Sequence, residues 1–221
     1  MYFHDRTDAG KRLATALAHY KDKPDTIVLA LPRGGVPVAY EIAQTLNLPL
    51  DLMLVRKLGL PGHEELAMGA IANGHVQVLN DEVVQGLQIP ESVIAQVAKA
   101  EHGELERRDK AYRQGNPPPV LQGKTVILVD DGCATGSNMK AAVQAVAKQH
   151  PVSIVVAVLV ASASAYDMLR AVADEVICLD IPEPFYGVGA FYRDFSQTSD
   201  AEVKALLKKS HQPDHRREKH A

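Results

Sequence analysis

Two adjacent carboxylates, Asp130 and Asp131, follow the apolar run Val126-Ile127-Leu128-Val129 and precede a loop of small residues, Gly132-Cys133-Ala134-Thr135-Gly136-Ser137. The apolar run suits a strand buried on both faces. Residues 139–148 read as a helix. Like charges side by side repel each other, and they persist best where a cation or a hydroxyl-rich ligand offsets them. Two carboxylates can accept hydrogen bonds from a vicinal diol. Loop amides and a helix N-terminus can hold a phosphate, because their N–H groups point outward and the helix dipole favours an anion there. Strand, acid pair, small loop and helix in that order form a candidate sugar-phosphate site. Taken singly the parts are bland: an Asp at a strand end is often a turn former or cap, and Thr135-Gly136-Ser137 could merely cap the helix.

A second strand end of similar character lies upstream. The strand expected over residues 26–31 runs into Pro32-Arg33-Gly34-Gly35-Val36-Pro37. The two glycines remove side chains where a ligand must approach the main chain. Arg33 adds a fixed positive charge able to grip an oxyanion through two donors. Pro37 suits the first turn of a helix over residues 38–46. A third stretch follows the strand expected over residues 50–55: Arg56-Lys57-Leu58-Gly59-Leu60-Pro61-Gly62-His63-Glu64-Glu65. A basic pair and then a Gly/Pro-rich, ionisable loop has the make-up of a mobile functional segment. For His63, Glu64 and Glu65 a solvated loop is an equal reading.

The elements that must position these residues can be read from periodicity. A helix is expected over residues 8–20, with Leu13, Ala14, Leu17 and Ala18 on one face and Asp5 or Thr7 as its cap. Residues 66–73 and 75–80 read as a hairpin turning at Asn73-Gly74. Residues 91–113 read as a long helix begun by Pro90 or Ser92, with its charges at pairing distance along a solvated face. Gln114-Gly115-Asn116-Pro117-Pro118-Pro119 must be extended or turned. Strand 152–161, helix 164–173 and strand 175–179 follow the acid pair, and a helix over residues 200–209 closes the chain. Alternating strands and helices indicate an α/β fold with a parallel sheet covered on both sides. Ligands in such sheets sit beyond the carboxyl ends of the strands, where all three candidate stretches fall.

The stretch from Val126 to Asn138 resembles the phosphoribosyl-pyrophosphate (PRPP) motif of type I phosphoribosyltransferases: apolar run, two acids, short turn, Thr-Gly, then a hydroxyl residue. The resemblance spans about residues 25–195, and the wording is most like bacterial members whose substrates are unsettled. It implies a parallel-core twisted sheet flanked by helices, a flexible loop or hairpin, and a small C-terminal hood about residues 181–209, in one domain over residues 1–209 with a helical insertion about residues 90–113. It implies that Asp130 and Asp131 meet the ribose hydroxyls, and that Ala134, Thr135, Gly136, Ser137 and Asn138 wrap the 5′-phosphate. Arg33, Gly34 and Gly35 would lie along the pyrophosphate, and Arg56 and Lys57 would neutralise it as it leaves. Phe185 and Tyr186, with Phe191 and Tyr192, could stack on a flat acceptor in the hood, although core packing suits at least half of them. Mg²⁺ would come with PRPP near Asp130 and Asp131, with no dedicated site. Two departures stand out. Asn138 replaces the usual Thr or Ser, and Ala134 stands where purine-salvage members carry a further Asp.

The expected activity is transfer of a phosphoribosyl group from PRPP to a small nitrogenous acceptor. A non-catalytic sensor of PRPP or a nucleotide is the alternative, and a phosphoacceptor domain using Asp130 or Asp131 is a third reading. The 221 residues suffice for one good core. A net charge of -3 argues against a nucleic-acid surface covering the domain. Only Cys133 and Cys178 occur as cysteines, without metal-ligand spacing. No apolar run approaches the roughly 18 residues of a membrane span, and residues 2–11 are too polar for a secretory leader. A cytoplasmic enzyme, working as a homodimer as this class often does, is expected. The tail over residues 210–221 is expected to be frayed.

Overall fold

Apolar residues alternate between two layers along each central strand, and that alternation sets the architecture. The computed structural model describes residues 2–73 and 76–211, and for residue 65 the main chain only. The turn expected at Asn73-Gly74, the strand start at His75, the side chain of Glu65 and the tail over residues 212–221 therefore lie outside the described residues. In chain order the elements are α1 (Arg6–Ala16), β1 (Thr26–Ala30), α2 (Gly35–Leu46), β2 (Leu50–Leu52), β3 (Val55–Leu60), β4 (His63–Ala72), β5 (Val76–Leu79), α3 (Asp81–Gly86), α4 (Glu91–Arg113), β6 (Thr125–Asp130), α5 (Ser137–Ala147), β7 (Ser153–Val160), α6 (Ala163–Arg170), β8 (Glu175–Asp180) and α7 (Asp200–Ser210).

Five strands form one parallel sheet in the order β2-β1-β6-β7-β8. Val28, Ala30, Ile127 and Val129 pack with Leu13, Ile42 and Leu207 of α1, α2 and α7. Ile27, Leu29, Val126 and Leu128 point the other way and pack with Met139, Val143 and Leu169 of α5 and α6. Both faces of the sheet are thus covered, as near-continuous apolar strands require. The chain runs outward from β1 to β2 on one side and from β6 to β8 on the other. The switch in direction lies between β1 and β6, where a crevice opens beyond the strand ends. The α/β class and the parallel sheet anticipated from periodicity are both present.

The strand anticipated over residues 50–55 divides in two. Asn73, itself buried, receives the Leu54 amide on its side-chain oxygen at 3.0 Å and returns its own amide to the Leu54 carbonyl at 3.1 Å. The chain leaves the parallel sheet there, and Val55 starts a separate antiparallel sheet, β3-β4-β5. Arg56 and Lys57 are therefore strand residues rather than the start of a mobile loop. The Gly/Pro-rich stretch becomes a hairpin whose turn is Pro61-Gly62.

Helix α4 joins the two sheets. Its last turn is pinned by Arg113, 5% exposed, which donates to Asp109, to the Leu52 carbonyl and to Asp51. Tyr112 donates to Asp200 at the start of α7 over 2.7 Å. The expected pairs along its outer face are present, with Glu104 accepting from Arg107 and Arg108. The helix is not merely a solvated face, however, because Glu101 turns inward to Arg56. Residues 191–196 of the hood run beside the N-terminus: Phe3 donates to the Phe191 carbonyl, and Arg193 and Asp194 donate to the carbonyls of Phe3 and His4. Phe3 is fully buried, so the hood hangs on the first residues of the chain. Helix α7 packs into the core through Val203 and Leu207.

Candidate functional site

The crevice at the switch point is built by the ends of β1 and β6 and the starts of α2 and α5. Asp130 is the last residue of β6, and Asp131 follows it. Both are half-buried, at the rim of the core and not inside it. The Asp131 amide donates to Asp130 Oδ1 at 2.8 Å. Burial and the neighbouring Asp131 charge push the Asp130 carboxyl well above the usual carboxylate range. Arg6 meets the other acid: its Nε and Nη2 each lie 2.8 Å from Asp131 Oδ2.

The loop that follows is open where a ligand would need it. Ala134, Thr135, Ser137 and Asn138 are exposed, and Gly136 takes φ +70, which favours glycine. The loop is fastened from below, with the Cys133 amide on the Val160 carbonyl and the Ser162 hydroxyl on the Ala134 carbonyl. Helix α5 begins at Ser137, earlier than its periodicity indicates, and the Ser137 amide approaches Thr135 Oγ1 at 3.4 Å. The amides of Asn138 and Met139 lie in the first turn, where a helix offers them no partner of its own. Anchored below and bare above, residues 134–138 suit an anion. Cys133 is buried, and that burial pushes its thiol well above the usual range, against thiolate formation.

The two glycines at the start of α2 let the acid pair and its strand approach the main chain closely. A Cβ on Gly34 would sit 2.0 Å from Asp131 Oδ2, and one on Gly35 would sit 2.6 Å from the Val129 carbonyl oxygen. The space they free is taken up by the acid pair and its strand. Gly34 caps α2, which starts at Gly35 with Pro37 in its first turn, and the Pro32–Arg33 peptide before it is cis. Arg33 points its guanidinium toward Asp200, with Nη1 3.7 Å from a carboxylate oxygen, and both groups are substantially exposed.

Arg56 lines one cleft with Leu31, Pro32, Asp130 and Asn138, although β3 belongs to the other sheet. Lys57 sits on the opposite face of β3 and does not line that cleft. Glu101 holds Arg56, with the Nη2 contact at 2.6 Å. Arg108 of α4 reaches the same cleft while its Nε donates to Glu104 at 2.8 Å. His63 lies away from it, in an apolar groove with Leu60, Leu66, Leu87 and Ile89.

The hood aromatics divide by burial. Phe191 and Tyr192 are core, and Phe185 stacks on Phe191 with centroids 5.8 Å apart. Tyr186 is 82% exposed and alone among them is free to meet a ligand. The Val188 side chain lies over Gly132, where a Cβ would approach it to 2.6 Å, so the hood borders the acid pair.

Sequence reading missed Arg6 and Arg108. Arg6 carried one signal: a cation at the first position of a helix opposes the dipole, so something other than helix stability holds it there. Arg108 carried none that separates it from the other charges of α4.

Residues 4–195 match the family described as "Phosphoribosyl transferase domain". Two Mycobacterium tuberculosis strains, CDC 1551 / Oshkosh and H37Rv, hold proteins named "Putative phosphoribosyl transferase", each 46% identical over 210 residues. That alignment takes in 95% of this chain and 47% of the relative, so the chain spans about half the length of the curated relatives it matches. The crystal structure of TT1426 from Thermus thermophilus is 42% identical and superposes with a TM-score of 0.87, covering 95% of this chain and 99% of that one. Among the described residues no helix is long and apolar enough to cross a membrane.

Proposed function

The chain belongs to the phosphoribosyl transferase domain family, and from that membership we propose that its crevice binds PRPP with Mg²⁺ and transfers the phosphoribosyl group to a small nitrogenous acceptor. The observation that carries the reading is the meeting of an acid pair, half-buried at the end of β6, with an exposed loop leading into α5. Asp130 and Asp131 accept hydrogen bonds from the ribose diol. Residues 134–138 hold the 5′-phosphate on main-chain amides and the hydroxyls of Thr135 and Ser137. Each charge-assisted bond of this kind contributes about 1.5–3 kcal/mol net.

In the reaction the bond from C1 to the pyrophosphate oxygen breaks, and the electron pair leaves with pyrophosphate. A bond from C1 to the acceptor nitrogen forms, and that nitrogen gives up its proton to the departing pyrophosphate or to water. Positive charge develops on the sugar as the anion departs, so gripping the anion matters more than a strong base. Arg56 and Arg108 stand on the cleft that would receive it, and Arg33 lies at the neighbouring strand end. Tyr186 is the aromatic of the hood edge open to an acceptor. The donor set suits a hard cation: Asp130 and Asp131 offer only oxygen, and their mutual repulsion is relieved by positive charge. Mg²⁺ bound with PRPP would supply that charge and neutralise the pyrophosphate.

Calorimetry with Mg-PRPP tests the binding step on the wild type and on the double variant Asp130→Asn with Asp131→Asn. Wild-type binding that the double variant loses, with its circular dichroism unchanged, is the expected result; equal binding by both overturns the site. Pyrophosphate release over a panel of nitrogenous bases tests turnover. PRPP binding without release on any acceptor would make the protein a sensor.

A further inference from the structure

Arg6 opens α1, against the helix dipole, and its side chain is nevertheless only 12% exposed. Its Nε and Nη2 both meet Asp131 Oδ2, and its Nη1 donates to the Ser196 carbonyl at 2.7 Å. The Phe195 ring centroid lies 4.2 Å from the guanidinium carbon, and the Tyr192 ring lies 5.9 Å from it on the hood. A planar cation flanked by aromatic rings loses little when it leaves water, and its fork fixes both direction and distance to a carboxylate.

We propose that Arg6 is a positioning residue for sugar binding, which holds one oxygen of Asp131 so that the other faces the diol. This rests on the reading of Asp130 and Asp131 as the ribose site and deepens it. Asp131 needs such a holder. Its Oδ2 packs against the main chain at Gly34, and it stands beside a second acid whose charge repels it. With one of the two charges paired, the second acid can meet a hydroxyl without both carboxylates turning apart. Because the flanking rings belong to the hood, Arg6 also makes one unit of the hood and the sugar site. Residues 192–196 carry the rings and the Ser196 carbonyl, and Arg6 ties them to Asp131.

The test is titration of Mg-PRPP into wild type, Arg6→Ala and Arg6→Lys, with circular dichroism on each. Arg6→Ala is expected to bind about tenfold or more weakly, one lost charge-assisted contact. Arg6→Lys keeps the charge without the fork and is expected to lie between the two. Added guanidinium chloride at millimolar level is expected to restore part of the Arg6→Ala affinity where an equal concentration of sodium chloride does not. Affinity of Arg6→Ala within about twofold of wild type overturns the role; where Arg6→Ala loses the wild-type spectrum, the same result for Arg6→Lys does so. A loss relieved neither by lysine nor by guanidinium marks a packing role and overturns it as well. Wild-type protein that binds no PRPP overturns the reading of the acid pair itself, and this inference with it.

Discussion

The hydroxyl of Tyr192 donates to the main-chain carbonyl of Asp131 over 2.8 Å. The hood is thereby bonded to the turn that carries the acid pair, and the contact is partly buried, with Tyr192 itself at 7% exposure. Removing the hydroxyl leaves that carbonyl without its partner. Tyr192→Phe is expected to cost about 1–3 kcal/mol of stability, read as a thermal midpoint lower by about 2–4 °C for each kcal/mol in a chain of this size. An unchanged midpoint would show that water replaces the bond.

Gly34 and Gly35 are adjacent, but a methyl group added to each meets different matter. On Gly34 it meets a carboxylate oxygen, which can move only by breaking from Arg6. On Gly35 it meets the carbonyl of Val129 and the Cα of Asp130, main-chain atoms at the end of the sheet's central strand. Gly35→Ala is expected to lose about 1–3 kcal/mol or more through overpacking. Gly34→Ala is expected to keep most of the stability and lose PRPP affinity. Chemical denaturation and calorimetry on the two variants decide the point, and the reverse order would contradict it.

These contrasts show which parts of the molecule the sequence makes legible. The central strands announce themselves because each is buried on both faces and reads as an unbroken apolar run. The acid pair and its small-residue loop follow one such run directly. Local spacing therefore suffices for the sheet, its class and the residues at its ends. Contacts between distant segments leave no such trace. Arg6 meets Asp131 across a separation of 125 residues. The break after Leu52 depends on Asn73, whose side chain takes the Leu54 amide, and the run Leu50 to Val55 gives no hint of it. The glycine pair is legible as a place of close approach, and the sequence does not show that the Asp131 carboxylate approaches Gly34 and the Val129 carbonyl Gly35.

Arg56 faces the cleft while held by Glu101, with contacts of 2.6 and 2.7 Å. A pyrophosphate reaching Arg56 must compete with that carboxylate. Glu101→Gln is therefore expected to raise affinity for pyrophosphate, and Arg56→Ala to lower it by about tenfold or more. Lys57→Ala, on the other face of β3, is expected to change it little. Titration with inorganic pyrophosphate at constant ionic strength checks all three. A Glu101→Gln protein that binds no better would mean that the pair fixes the hairpin to α4 and does not guard the anion site.

Asp130 contributes a pH response of its own to the free protein. Its carboxyl lies well above the ordinary 3.8 in the folded chain, because burial and the Asp131 charge both oppose ionisation. An acid raised on folding binds more protons folded than unfolded, so stability falls as pH rises from about 3.8 toward the folded value. Above that window the full cost of holding the charge is present. Asp130→Asn removes the charge and is expected to raise the thermal midpoint at neutral pH, with the gain fading as pH falls from the folded value toward about 3.8 and absent below it. The same variant is expected to weaken PRPP binding, since an amide offers one acceptor oxygen where a carboxyl group offers two. Thermal melts of wild type and Asp130→Asn across that range, paired with PRPP titration at pH 7, measure both effects. A carboxylate kept at the cost of stability is what a ligand site requires; a variant less stable at every pH would show instead that Asp130 holds the turn together through the Asp131 amide.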